Sequence, residues 1–260
     1  MSLLLTSDHE GVRVLTLNAP PANTYSYEMM KALDLAILDA RMNDAIHVVV
    51  ITGAGDKFFC AGADIAMLND VTPTFKYNFC LHANETLCRL EQTPKLVIAA
   101  LNGHTVGGGL EVALAADLRI AKQGTGKIGL PEVNLGVLPG TGGTQRLVRL
   151  LGRARAFELM ASGRTFDVAE AERLGLVHRV LPAEGFLDAV LSYARDFVPP
   201  RRASKAVGLI KRATISGAEM SFQDGLALER ELQQQLFTSA DAKEGILAYV
   251  EKRTAKFSGK

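Results

Sequence analysis

A chain of 260 residues, 48% hydrophobic and 22% charged, is long enough to bury one large core, alone or with a small appendage. Its net charge of +1 argues against a dedicated binder of nucleic acid or other polyanions, and with no tryptophan and 6% aromatics it makes a poor stacking platform for bases. Cys60, Cys80 and Cys88 form no CxxC pair and are too few for a disulfide framework, so they are expected as small buried hydrophobes in a reducing compartment. The opening MSLLLTSDHEG has no basic segment and is not read as a signal peptide. The longest uncharged apolar stretch, Leu96 to Leu110, is broken by Asn102, His104 and four glycines. It falls short of the roughly 20 residues a membrane span needs. A cytoplasmic protein that does not engage membrane is expected.

In chain order, LLLTS and VRVLTL, separated by DHEG, predict a β-hairpin. Ser26 then predicts an N-cap for the amphipathic helix YEMMKALDLAILDARM. HVVVITGAG reads as a buried strand running into a glycine turn, KLVIAALNG repeats that pattern, and DLRIAK adds a third short strand. Strands that alternate with helices and are apolar on both faces indicate an α/β core with parallel pairing. LVHRVLP is the last convincing strand. From about Gly185 four helical segments follow one another without a strand, with Pro199-Pro200 between the first and second. Residues 1–190 are therefore expected to form the core and 191–260 a helical region that packs on it or joins subunits.

Several motifs fail on inspection. GTGKIG at 124–129 fits GxGxxG, but the proline that follows stands where a phosphate-binding helix would begin. PGTGGTQRL at 139–147 lacks the GK[ST] of a P-loop and reads first as a tight turn capping a helix, with a backbone contact to ligand left open. The five histidines are scattered without metal-ligand spacing, and no GxSxG marks a nucleophile elbow. His104, beside the glycine run, reads as structural.

Carboxylates and backbone amides remain. FFCAGAD at 58–64 and VGGGLE at 106–111 each follow a strand with a small-residue loop leading into a helix. N–H groups at a helix start are unpaired, and small residues let a ligand approach them. Two such amides converging on one oxygen would form an oxyanion hole, worth about 3–4 kcal/mol per donor in the transition state. Glu111 would sit in the first turn of its helix beside those amides, and Glu132 in the loop GLPEVNLG. Alone, each is a charge suited to a helix start or a turn; as a pair flanking one pocket they supply an acid and a base.

The segments CAGADI, NGHTVGGGLEVALAADLRIA, IGLPEVNLGVLPGTGGTQRL, AERLGLVHRVLP and AYVEKR, in this order along essentially the whole chain, resemble the crotonase, or enoyl-CoA hydratase/isomerase, superfamily. The resemblance implies a spiral of ββα units with a C-terminal helical region that trimerises, the trimers often doubled to hexamers. It implies an acyl-CoA thioester as substrate, with coenzyme A entering as part of that substrate, no separate cofactor and no metal, and a place in fatty-acid metabolism. Carried onto this chain, the oxyanion hole is the amides of Ala63 and Gly108. Ala61, Asp64, Ile65 and Ala66 line the coenzyme A path, Ala22 of PPAN adds backbone, and Lys252 of VEKR reaches a coenzyme A phosphate from a neighbouring subunit.

Members resembling hydratases carry an acid at both the GGGxE and PE positions, and this chain has both. The resemblance therefore assigns Glu111 to activating water and Glu132 to proton exchange at the α-carbon, with the Gly140 amide helping to hold the water. Departures are the short NAPPANTYSYEMM loop, His104-Thr105 and Ile128, which are expected to reshape the acyl pocket. The alternatives are a Δ3-Δ2 enoyl-CoA isomerase working through Glu132, and a non-catalytic or RNA-binding relative suggested by the basic stretches RRASKAVGLIKR and RLVRLLGRAR. The second leaves both glutamates and both amide loops unexplained.

Overall fold

The computed structural model describes residues 2–124 and 126–260; Thr125, within the discarded GTGKIG stretch, lies outside the described residues. The predicted hairpin forms from β1 (Leu4–His9) and β2 (Val12–Leu17), paired antiparallel from Leu4↔Leu17 to His9↔Val12. Asp8 and His9 thus belong to the strand. The reversal is confined to Glu10 and Gly11, both at positive φ (49° and 84°), as a two-residue hairpin turn matched to strand twist requires. Ser26 caps α1 (Tyr27–Met42), its hydroxyl accepting from the Met29 N–H at 3.3 Å.

The chain then repeats one motif. β3 (Val48–Gly53) passes to β4 (Phe58–Cys60) and helices α2 (Ile65–Asp70) and α3 (Pro73–Glu91). β5 (Leu96–Leu101) passes to β6 (His104–Val106) and α4 (Gly108–Leu114). β7 (Leu118–Lys122) passes to β8 (Ile128–Gly129), a 3-10 turn over Glu132–Leu135, and α5 (Gly143–Leu151). After α6 (Arg153–Ser162) and α7 (Val168–Arg173), β9 (Arg179–Leu181) closes the strand order. The first strand of each unit joins a six-stranded sheet of order β1-β2-β3-β5-β7-β9, parallel beyond the hairpin; the second joins a small parallel sheet of order β4-β6-β8.

β3 and β5, in the middle of the large sheet, are covered on both faces, as their apolar runs demand. Val48, Val50, Ile98 and Ala100 face one cluster, and Val49, Ile51, Val97 and Ala99 the other, the two-residue period of a strand. One cluster is closed by α1 and α3, whose Met29, Leu33, Ile37, Phe79 and Leu87 are buried in it. The other is closed by α8 (Phe186–Arg195) through Phe186, Val190, Leu191 and Ala194. Three further helices, α9 (Ser204–Gly217), α10 (Phe222–Phe237) and α11 (Ala240–Val250), complete the C-terminal region. Of the cysteines only Cys60 is buried; Cys80 is half-buried and Cys88 exposed, so the expectation of three buried thiols holds for one. No helix of the described residues is long and apolar enough to cross a membrane.

Candidate active site

The small sheet places the chemistry. The loops leaving the C-terminal ends of its three parallel strands carry Ala63, Gly108 and Glu132 respectively, and meet around a cavity of about 350 Å³. The walls are largely apolar, from Ile65, Leu68, Phe79, Val106 and Leu135; the acids among them are Glu111 and Glu132.

Among the described residues, neither the Ala63 nor the Gly108 N–H has an acceptor. The two loops lie close enough that a Cβ on Gly62 would come within 2.9 Å of the Gly108 nitrogen. Gly108 is the first residue of α4, where N–H groups have no partner within the helix. The glycines at 108 and 109 are demanded by close approach. A Cβ at Gly108 would lie 2.0 Å from the Tyr25 hydroxyl, and one at Gly109 would lie 2.0 Å from the Cys60 carbonyl oxygen.

Glu111 is buried in the first turn of α4, as expected from its position. Its Oε1 accepts from the Thr141 N–H at 2.8 Å and the Gly143 N–H at 2.7 Å, and its Oε2 from the Thr141 hydroxyl. The PGTGG turn read as a helix cap therefore does more: it anchors a pocket carboxylate. Glu132 is held differently. Its Oε2 is buried without a hydrogen-bond partner among the described residues, and burial pushes its carboxyl up to about 7, with a smaller push from the Glu111 charge. One acid is thus locked by donors, and the other stands ready to hold or release a proton near neutral pH.

The enoyl-CoA hydratase/isomerase family model matches residues 7–260. The chain belongs to this family. Among curated relatives, it is 38% identical to a putative enoyl-CoA hydratase/isomerase, YngF, of Bacillus subtilis, over 99% of this chain and 98% of that one. It is 37% identical to a short-chain-enoyl-CoA hydratase of Clostridium acetobutylicum, over 95% and 94% of the two chains. Among solved structures, an enoyl-CoA hydratase of Geobacillus kaustophilus superposes with a TM-score of 0.97 at 45% identity, covering 100% of this chain and 98% of that one. The two-sheet spiral of ββα units with its helical C-terminal region is accordingly the crotonase fold.

Of the residues the resemblance assigned, Ala61, Ala63, Ile65, Gly108, Glu111, Glu132 and Gly140 line the one cavity. Ala22, Asp64, Ala66 and Lys252 do not. The Ala22 carbonyl accepts from the Ala61 N–H at 3.0 Å. Asp64 caps α2, accepting from the Ala66 N–H at 2.9 Å and the Met67 N–H at 3.3 Å, and Ala66 lies exposed on that helix. Lys252 follows the end of α11, exposed and away from the cavity of its own chain.

Two of the departures expected to reshape the pocket lie elsewhere in this crotonase fold. Ile128 is buried in the core, and His104 lies tilted against Phe58, ring centroids 5.0 Å apart, while its Nδ1 accepts from the Lys127 N–H. The short loop does act there, through Tyr25, which lines the cavity. Sequence reasoning passed over Tyr25, Thr141, Lys76, Phe79 and Cys80. The last three ride on α3, whose start was marked by Thr72-Pro73, an N-cap followed by proline at the first helical position. Among the described residues, no group of three or more His, Cys, Asp or Glu could hold a metal.

Proposed function

We propose that the protein is an enoyl-CoA hydratase, adding water reversibly across the 2,3 double bond of a trans-2-enoyl-CoA to give the 3-hydroxyacyl-CoA. The observation that carries this reading is a single cavity in which two free amides stand beside two carboxylates of unlike environment. The thioester oxygen is bound by the Ala63 and Gly108 N–H groups. Glu111 accepts a proton from water as its oxygen bonds to C3, and the π pair moves onto the thioester as an enolate whose charge the amides stabilise. Glu132 delivers a proton to C2 as the enolate collapses; the proton taken by Glu111 then passes to Glu132 through water entering as product leaves, which returns both acids to their starting states. A carboxyl near 7 suits an acid that must both give and retake a proton at neutral pH.

Coenzyme A enters with the substrate and no further cofactor is required. Ala22, Asp64 and Ala66 are proposed to border its path, with Lys252 meeting its phosphates across a subunit contact. The working unit is proposed to be a trimer, or two trimers, assembled through the helices after residue 190. Relatives named as hydratases, including a crotonyl-CoA hydratase of Syntrophomonas wolfei at 35% identity, support this reaction.

The test is turnover of crotonyl-CoA, followed as loss of the enoyl thioester absorbance, by wild type, Glu111→Gln and Glu132→Gln. Each variant is expected to lose about 10²- to 10⁴-fold in kcat. Wild-type protein that leaves crotonyl-CoA untouched but shifts the double bond of a 3-enoyl-CoA would replace the hydratase by an isomerase that needs Glu132 alone.

A further inference from the structure

One hydrogen-bonded chain in the cavity is unaccounted for by the two glutamates and two amides. Tyr25, 3% exposed, is stitched to the loop that carries Ala63. Its N–H donates to the Gly62 carbonyl at 2.9 Å, and its own carbonyl accepts from the Asp64 N–H at 3.0 Å. Its hydroxyl lies 3.3 Å from the Thr141 hydroxyl, which bonds Glu111 Oε2 in turn.

Counting protons fixes the direction of this chain. An ionised carboxylate only accepts, and each hydroxyl has one proton to give. Thr141 therefore donates to Glu111, and Tyr25 donates to Thr141. The Tyr25 phenol keeps its proton to well above its ordinary range, because it is buried and faces the Glu111 charge.

Counting lone pairs gives the consequence. A carboxylate offers about four acceptor sites. Two on Oε1 are taken by the N–H groups of Thr141 and Gly143, and one on Oε2 by the Thr141 hydroxyl. We infer that Tyr25 and Thr141 are positioning residues that leave Glu111 a single free acceptor site and aim it, so that the attacking water binds in one orientation. The inference rests on the hydratase reading. The same phenol packs against Gly108, where a Cβ would meet its oxygen, so one side chain braces both the carboxylate and the second oxyanion amide. Burial alone does not call for a carboxylate partner: the buried Thr52 hydroxyl is met by the Ala100 carbonyl at 3.0 Å and Asn102 Oδ1 at 3.2 Å.

The experiment is steady-state hydration of crotonyl-CoA by wild type, Thr141→Val, Thr141→Ser, Tyr25→Phe and the double variant Tyr25→Phe/Thr141→Val. Thr141→Val keeps the volume and the N–H bond but removes the hydroxyl. It is expected to lower kcat by about ten- to a hundredfold with KM changed less than about twofold, because orientation is lost and binding is not. Thr141→Ser is expected to recover to within about threefold of wild type, and Tyr25→Phe to lose about three- to tenfold. The double variant is expected to be no worse than Thr141→Val alone, since the chain is already cut there. Wild-type kcat in Thr141→Val, or losses that multiply in the double variant, overturn the inference while leaving the hydratase reading intact. No hydration by the wild type overturns both. Should Thr141→Val not fold, the Tyr25→Phe and Thr141→Ser values decide.

Discussion

Glu132 carries a cost that can be read apart from catalysis. Its folded carboxyl, raised by burial to about 7 from the ordinary 4.5, holds its proton more tightly than the unfolded chain does between those values. Its contribution to stability is therefore fully present below pH 4.5 and lost as the pH rises through 7. Glu132→Gln is expected to raise the melting temperature at pH 8 by about 1–2 °C, a figure kept small because the carboxyl partly opens to the cavity, and to leave it unchanged at pH 4.5. Calorimetry at the two values checks this; a variant less stable than wild type at pH 8 contradicts it. Both glutamates were legible in the sequence because each sits in a long local motif. Tyr25 and Thr141 were not, because the bond that gives them meaning joins positions 116 residues apart. No local pattern encodes such a partner.

Among the elements, α9 is tied to the large sheet by a buried ion pair. Lys211 Nζ lies 2.9 Å from Asp117 Oδ2 and donates to the Lys95 carbonyl at 3.1 Å, while Asp117 also accepts from the Val97 N–H at 2.7 Å. Burial pushes the Lys211 ammonium down and the Asp117 carboxyl up, each against the pull of its partner. Such a pair gives little net stability while whole, but leaves a stranded charge when halved. Lys211→Met is expected to cost about 3–5 kcal/mol in urea unfolding, and Lys211→Met with Asp117→Asn much less. Equal losses in the two would show that the pair is not coupled. The strands of the large sheet were legible, β3 and β5 most plainly from their apolar runs, and α8 to α11 from their sustained helical spacing. β4, β6 and β8 were not, because strands of two or three residues leave no period to read and pass for loops. The sequence reading passed over α3 because its apolar residues are interleaved with Lys76, Asn78, His82, Asn84 and Glu85, polar side chains along a helix that also walls the cavity.

Across the whole molecule, large apolar side chains on the C-terminal helices stand exposed in the single chain, among them Phe222, Phe237, Tyr249 and Val250. Exposed groups of this size on neighbouring elements suit a contact between copies. Light scattering on the purified protein is expected to return three or six times the 27.9 kDa of one chain, and a monomer would remove the proposed role of Lys252. The repeat of ββα units also divides labour: β3 and β5 of the large sheet are core on both faces, while the strands of the small sheet end in the loops that line the cavity. A lineage can therefore revise the chemistry one loop at a time without disturbing the core. The exception is where Tyr25 fills the space a side chain at position 108 would need. Alanine there would drive its Cβ into the Tyr25 phenol, so the ring has to shift or be lost, and a change at either position alters what the other can tolerate.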